Sequence, residues 1–438
     1  MRKNVIIFSL LIGWLFYSSP NKAQTVFNSF DDFITYAESK SIDLRKGDIE
    51  LTQAKKLKLA SVLGILDPTG NIGLSYKNNT KLPVTLVPGE LVGEQSGTVQ
   101  EVQFGLQYET QFTADIDIKL LNLGGWSSMR LSELNVDLVE NQKQLTRKQL
   151  YEQAALTYYN ILTLQAQQKS TTLNLSVADT IRQMVSLRFR EGLANQQEVN
   201  EAEVNYLRLE QSQSQLELTL NQQYNVLKTL FDIPDKEQIK IVQATESRPY
   251  LPTILPNRLS VEQAVLNERY AFFALRKSKL DLAPTLSLFA FNSQQQFNDR
   301  SRFFDSNADW IPSTHFGIRL NIPIPGYRQG QRFFNAKYDH LLAQENHKQA
   351  EVQMANETEQ LGTDYTKAVA KRRFDHSIYL LKKDTYKKNF LSYQQGVIAL
   401  DQTLNSFQDM VNAEYNWIAS QLAVLHSQTK ISLNNTIR

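Results

Sequence analysis

The sequence has 438 residues, a net charge of +2, 42% hydrophobic and 21% charged residues, and no cysteine. That near-neutral balance excludes a nucleic-acid partner held by bulk charge and excludes an acidic tail. The missing cysteines exclude disulfides and a lipidated N-terminal cysteine, while the length admits two or three domains unless an internal repeat changes the count.

Arg2 and Lys3 precede an apolar run from Val5 to Phe16, and the polar SSPNKAQ follows. This is the three-part layout of a secretory signal peptide, so residues 1–24 are expected to be removed near Ala23 or Gln24. The run is shorter than the ~20 apolar residues that span a bilayer, and no later segment approaches a transmembrane helix. An exported chain that must sit in a membrane then has the β-barrel as its remaining option.

From Phe30 to about Leu66 the apolar spacing is helical, until Asp67-Pro68-Thr69-Gly70 stops it. In NIGLSYKN, Ile72, Leu74 and Tyr76 alternate with polar or small residues, which predicts a strand with one apolar face. A Pro- and Gly-rich loop containing Leu86-Val87-Pro88-Gly89-Glu90 leads to EVQFGLQYE, where Val102, Phe104, Leu106 and Tyr108 alternate with Glu101, Gln103, Gly105 and Gln107. Two strands and a loop make a hairpin over 70–112. The loop is long for a hairpin, and two readings of it stay open: a cover over an outer mouth, or a disordered connection.

LNLGGW turns the chain into a run with no Pro or Gly until Gly192. As a helix, that run of about 65 residues would be roughly 100 Å long. A second helix then extends to about Phe231, with a seam of Val199, Tyr206, Leu209, Leu216, Leu220, Leu227 and Leu230 at coiled-coil spacing. Its polar faces, such as Gln211 to Ser214, suit a water-filled passage. Residues 231–259, with four prolines from Pro234 to Pro256, read as a linker.

The second half repeats the order. A helix from Ser260 to Leu282 ends at LAPTLSLFAF, which lines up with LDPTGNIGLSY, and HFGIRLNIPI lines up with QFGLQYETQF. Phe316, Ile318, Leu320 and Ile322 fall on one face, against His315, Gly317, Arg319 and Asn321, giving a hairpin over 285–323. Pro325-Gly326 opens a second long helical run to Gly396, and the last helix has a seam of Leu400, Leu404, Phe407, Val411, Ile418, Leu422 and Leu425. The repeats are therefore 25–230 and 260–438, with bends near 192 and 396.

Four strands cannot seal a membrane barrel, whose smallest form has about eight. Two copies would give a barrel filled by its side chains, whereas three give twelve strands and an open lumen. The polar faces carrying Glu101, Gln103, Gln107, Arg319 and Asn321 favour the open version. A soluble antiparallel sheet with one wet face would alternate in the same way. The fold class expected is an internally duplicated α+β membrane protein, with long coiled-coil hairpins forming a periplasmic α-barrel and four strands per protomer contributing to a trimeric twelve-stranded outer-membrane β-barrel.

In the duplicated bends RFREGLANQQEV and SYQQGVIALDQT, and in IPIPGYRQGQ ahead of the second long helix, the sequence resembles the TolC-like outer-membrane efflux proteins. The likeness covers nearly the whole mature chain. It implies a homotrimer in the outer membrane of a Gram-negative bacterium, extending into the periplasm, with an equatorial domain supplied by residues 231–260 and the two mature termini. It also implies that the periplasmic tip docks on a membrane-fusion adaptor, which joins it to an inner-membrane pump of the RND or ABC type. Mapped onto this sequence, the docking tip is Glu191, Gly192 and Leu193 with Gln395, Gly396 and Val397.

Family members close the tip with acidic residues six and nine positions beyond the second glycine. Here those positions hold Gln402 and Asn405, with Asp401 adjacent, and the first bend offers Glu198 and Glu201 instead. The second bend thus departs from the family pattern, and any periplasmic constriction draws on these five residues.

No G-x-S-x-G, P-loop, G-x-G-x-x-G or H-E-x-x-H motif occurs. The five histidines, at 315, 340, 347, 376 and 426, lack zinc-site spacing and read as solvated positions on strands and helices. No catalysis, cofactor, metal site or nucleic-acid partner is expected, which leaves a passive conduit for efflux or type I secretion. The competing reading is a non-conducting coiled-coil scaffold of the envelope, which has no use for two hairpins with lipid-like faces.

Overall fold

A computed structural model describes residues 24–242, 253–303, 307 and 309–437. Residues 1–23 of the expected signal peptide lie outside them. In chain order the elements are β1 (Gln24–Phe27), α1 (Phe30–Lys40), α2 (Ile42–Leu63), β2 (Thr69–Asn78), β3 (Val84–Pro88), β4 (Val99–Gln103), β5 (Tyr108–Leu121), α3 (Leu123–Arg190), α4 (Gln196–Leu230), β6 (Gln238–Ile241), α5 (Leu259–Leu280), β7 (Thr285–Asn298), β8 (Ile311–Asn321), α6 (Tyr327–Gln394) and α7 (Leu400–Thr436). The chain folds as two compact units, each drawing on both sequence repeats.

One unit, Leu51–Val139 with Ala264–His347, holds a four-stranded antiparallel sheet in the order β2-β5-β7-β8. Its register puts Ile72 and Leu74 of β2 on the same face as Phe112 and Ile116 of β5, Leu288 of β7, and Phe316, Ile318 and Leu320 of β8. All eight are exposed, Phe316 by 82%. Tyr76 shares this face and stacks on Tyr108, with centroids 6.0 Å apart. The opposite face is mixed, with charged residues beside Phe289 and Phe291. Arg319 donates to Asp117 at 3.2 Å and lies 4.5 Å over the Phe289 ring, and Asn71 donates to Asp115 at 3.2 Å.

The second strand of the first hairpin is not EVQFGLQYE. Residues Val99–Gln103 pair with Val84–Pro88 in a separate two-stranded sheet, so Val102 belongs to that small hairpin, and Phe104 and Leu106 lie between strands. Gly105, at φ +104°, turns the chain there, in backbone space open to glycine and disfavoured for other residues. The strand that pairs with β2 starts at Tyr108 and carries TADIDIK, with Ala114, Ile116 and Ile118 on one face and Asp115, Asp117 and Lys119 on the other. Ile322 lies just past the end of β8. The segment from Leu86 to Pro88 is thus an ordered strand, with Gly89 and Glu90 in the 3-10 turn after it.

The other unit comprises the chain up to Glu50, Glu140–Gln263, and everything from Lys348. Its main core gathers Phe33 of α1, Tyr158 and Ile161 of α3, Leu227 and Phe231 at the end of α4, Ile241 of β6 and Leu422 of α7. Phe33 and Phe231 meet edge to face at 5.7 Å, the geometry favoured by aromatic quadrupoles. β1 and β6 pair in parallel beside this core. Asn257 Nδ2 donates to the carbonyls of Asn434 and Ile437, tying the segment before α5 to the end of α7. Smaller clusters follow the helices toward their bends. One joins Ala178, Leu209, Tyr379 and Phe407, and the next joins Ile181, Val185, Ala202, Tyr393 and Leu400. The coiled-coil seam read from α7 is buried at Leu400, Phe407, Val411 and Leu422.

Candidate functional site

The two helical bends are built by the same bonds. At the first, the Gly192 amide donates to the Phe189 carbonyl at 3.0 Å and the Leu193 amide to the Arg188 carbonyl at 2.8 Å. At the second, Gly396 donates to Tyr393 and Val397 to Ser392, each at 2.9 Å. This is the Schellman pattern, which satisfies carbonyls that a helix end leaves unpaired and needs a left-handed residue at its turn. Gly192 at φ +79° and Gly396 at φ +77° supply it. A Cβ at either glycine would meet open space, so backbone conformation rather than crowding selects glycine. Leu193 and Val397 stand 66% and 71% exposed, with no core to serve. Glu191 and Gln395 are exposed beside them.

The restart of α4 explains Glu198. Asn195 is the N-cap, its side chain accepting from the Glu198 amide at 2.9 Å while the Glu198 carboxylate accepts from the Asn195 amide at 3.0 Å. This reciprocal capping box engages Glu198 locally. Glu201, one turn later, accepts from Gln197 at 2.8 Å and lines a groove of about 380 Å³ between α4 and α7. Asp401 and Asn405 line the same groove, together with Arg208 and Asn205. Of the five residues predicted for a constriction, Glu201, Asp401 and Asn405 are therefore brought together, while Glu198 and Gln402 do not line the groove. Arg208 is a neighbour the sequence reading did not single out; its cation offsets part of the acidic charge.

Behind the bends, Arg188 donates to the Tyr393 carbonyl and lies over its ring. Burial pushes the Tyr393 phenol above its ordinary range, Arg188 opposes that and Glu198 adds to it. The phenol oxygen is buried without a hydrogen-bond partner.

His315 and His376 are exposed, as expected of solvated positions, whereas His340, His347 and His426 are half-buried. His315 packs on Phe289 and Phe291, His340 on Phe272, His376 on Trp417 and His426 on Tyr159. His347 pairs with Glu268 at 2.8 Å. Among the described residues no three metal-binding side chains converge, and no helix is long and apolar enough to cross a membrane.

No protein-family model matches the sequence, and no curated protein matches it. Solved structures do share its fold. The outer membrane protein VceC from Vibrio cholerae aligns over 91% of this chain and 95% of its own, at 17% identity and a TM-score of 0.67. The Campylobacter jejuni CmeC outer membrane channel aligns over 92% of this chain and 85% of its own, at 16% identity and a TM-score of 0.68. CusC, described as forming a transmembrane channel, aligns over 93% and 91%, at 15% identity and a TM-score of 0.71. With its duplicated long helical hairpins and four-stranded sheet, this chain has the fold of the TolC-like outer-membrane channels.

Proposed function

We propose that three copies of this chain form a passive exit duct across the outer membrane of a Gram-negative bacterium. The observation that carries the reading is the four-stranded sheet. Among the described residues β2 and β8 each have a neighbour on one side only, and one face exposes Ile72, Leu74, Phe112, Ile116, Leu288, Phe316, Ile318 and Leu320. In lipid every backbone donor and acceptor must be paired, so such a sheet needs other copies to close it. The charged opposite face, with Asp115, Asp117 and Arg319, favours a water-filled lumen and hence twelve strands.

In this reading the bends at Gly192 and Gly396 are the periplasmic tip. Their exposed Leu193 and Val397 dock on a membrane-fusion adaptor, and an inner-membrane pump of the RND or ABC class supplies the energy. Nothing in the chain activates a nucleophile or binds a phosphate by a sequence motif, which fits a conduit for drug or metal efflux or for type I secretion.

The test is the mass and conductance of the purified full chain. The duct requires recovery from the membrane fraction, a trimeric mass in detergent and channel conductance in a planar bilayer. A lipid-free soluble monomer overturns it and supports the envelope scaffold.

A further inference from the structure

Residues 367–388 of α6 carry eight lysines and arginines against Asp375 and Asp384. Lysines take the carboxylates within reach. Lys371 pairs with Asp375 at 2.5 Å, Lys388 with Asp384 at 2.6 Å, and Lys382 with Asp409 of α7 at 2.5 Å. Arg372 and Arg373 have no ion pair among the described residues.

The two arginines share a helix face with Val369, His376 and Ser377, because residues three and four apart are neighbours on a helix surface. Trp417 and Gln421 of α7 stand against that face and close a cleft of about 310 Å³. No carboxylate lines it. The indole is held in place: Trp417 stacks on the buried Tyr379 ring at 5.1 Å and 9°, and His376 packs on it at 5.1 Å. Arg373 lies 4.9 Å from the centre of the exposed Phe374 ring.

Adjacent guanidiniums with no anion between them repel, and a bound anion reverses the sign of that interaction. Each guanidinium is a planar fork that matches the two oxygens of a carboxylate. The fixed indole and Val369 add apolar area beside the charge, which an inorganic anion would leave unused and an aromatic ring would cover. The volume is at the lower end of the roughly 300–1,000 Å³ of small-molecule sites, so it admits one or two fused rings and no helix or strand of a partner protein.

We propose that this cleft binds a small aromatic carboxylate, its oxygens on Arg372 and Arg373 and its ring against Trp417. All the residues that line it belong to one copy and to one of the two compact units, so the site does not depend on the trimeric reading.

The test is calorimetric titration of the purified full chain with 2-naphthoate, which is expected to bind saturably at one site per chain. Arg372→Gln/Arg373→Gln is expected to weaken binding by about tenfold or more, the scale of lost charge-assisted hydrogen bonds. Arg372→Lys/Arg373→Lys should weaken it less, since the charge stays and the fork is lost, and it carries the test if the glutamine variant loses its helical circular dichroism. Lys387→Gln should leave the affinity unchanged. No saturable binding of 2-naphthoate overturns the site, as does an unchanged affinity in a folded glutamine variant. Equal binding of the neutral naphthalene-2-methanol overturns the carboxylate, and equal binding of inorganic phosphate overturns the aromatic ring. A monomeric mass of the same sample sinks the duct and leaves the cleft standing, so the two readings fail separately.

Discussion

The guanidinium of Arg188 donates to the backbone carbonyl of Tyr393 at 3.1 Å and lies 4.8 Å from the centre of the same residue's ring. One side chain thus couples the last turn of α3 to the last turn of α6, the two points where the chain reverses. Arg188→Ala is expected to weaken both bends by about 1–3 kcal/mol, the scale of a charge-assisted hydrogen bond with a cation–π contact. Amide exchange should quicken around both glycines and stay unchanged in the β5–β7 ladder. Equal protection in wild type and variant would show that the bends are held independently.

Gly192→Ala and Gly396→Ala place a Cβ in open space but force it into left-handed backbone. Each is expected to cost about 1–2 kcal/mol locally. Asparagine, which tolerates that region better, should cost less, and limited proteolysis at the bends reads the ranking. If alanine and asparagine behave alike, the φ argument fails.

Glu198 and Glu201 are separable. Glu198→Gln is expected to loosen the start of α4 by weakening the capping box, with little effect on ion preference, since that carboxylate already accepts from Asn195. Glu201→Gln removes a charge from the groove shared with Asp401 and should reduce cation preference in single-channel recordings. The reverse pattern would move the constriction to Glu198.

Burial, with Lys430 adding to it, pushes the His426 imidazole below its usual range. Above the unfolded value near 6.5 both states are neutral and the residue contributes nothing to pH dependence. As pH falls below that value the unfolded chain takes up a proton that the folded chain resists, so stability declines until the folded pKa is reached. His426→Gln should flatten the fall in unfolding midpoint between about pH 7 and 5. An unchanged slope would place the acid sensitivity elsewhere.

Phe316→Arg puts a charge on the apolar sheet face, where a cation near the bilayer middle costs about 2–4 kcal/mol. Loss of heat-modifiable trimers from the membrane fraction is expected. Ser313→Arg, on the opposite face by the register with Ser293, should retain them. Equal tolerance of both would remove the distinction between a lipid face and a water face.

The duplication, the long helices and both glycine bends were legible because Gly and Pro punctuate runs with strong helical spacing, and the exposed face of β8 was legible from the alternation in HFGIRLN. β5 was not. Its Asp115, Asp117 and Lys119 disguise a strand that alternates as cleanly as EVQFGLQYE, and nothing local distinguishes a sheet strand from a small hairpin with the same period. The grouping of Glu201, Asp401 and Arg208 was also hidden, because it depends on how α4 lies against α7. The capping role of Glu198 was readable in principle: Asn195 followed three residues later by glutamate resembles the capping-box spacing.

The bare edges of the sheet belong to β2 and β8, whose first and last residues, Thr69 and Asn321, are far apart in the sequence. Among the described residues neither edge has a further strand to pair with, so in the proposed trimer sealing is a reaction between polypeptides whose rate rises with their concentration.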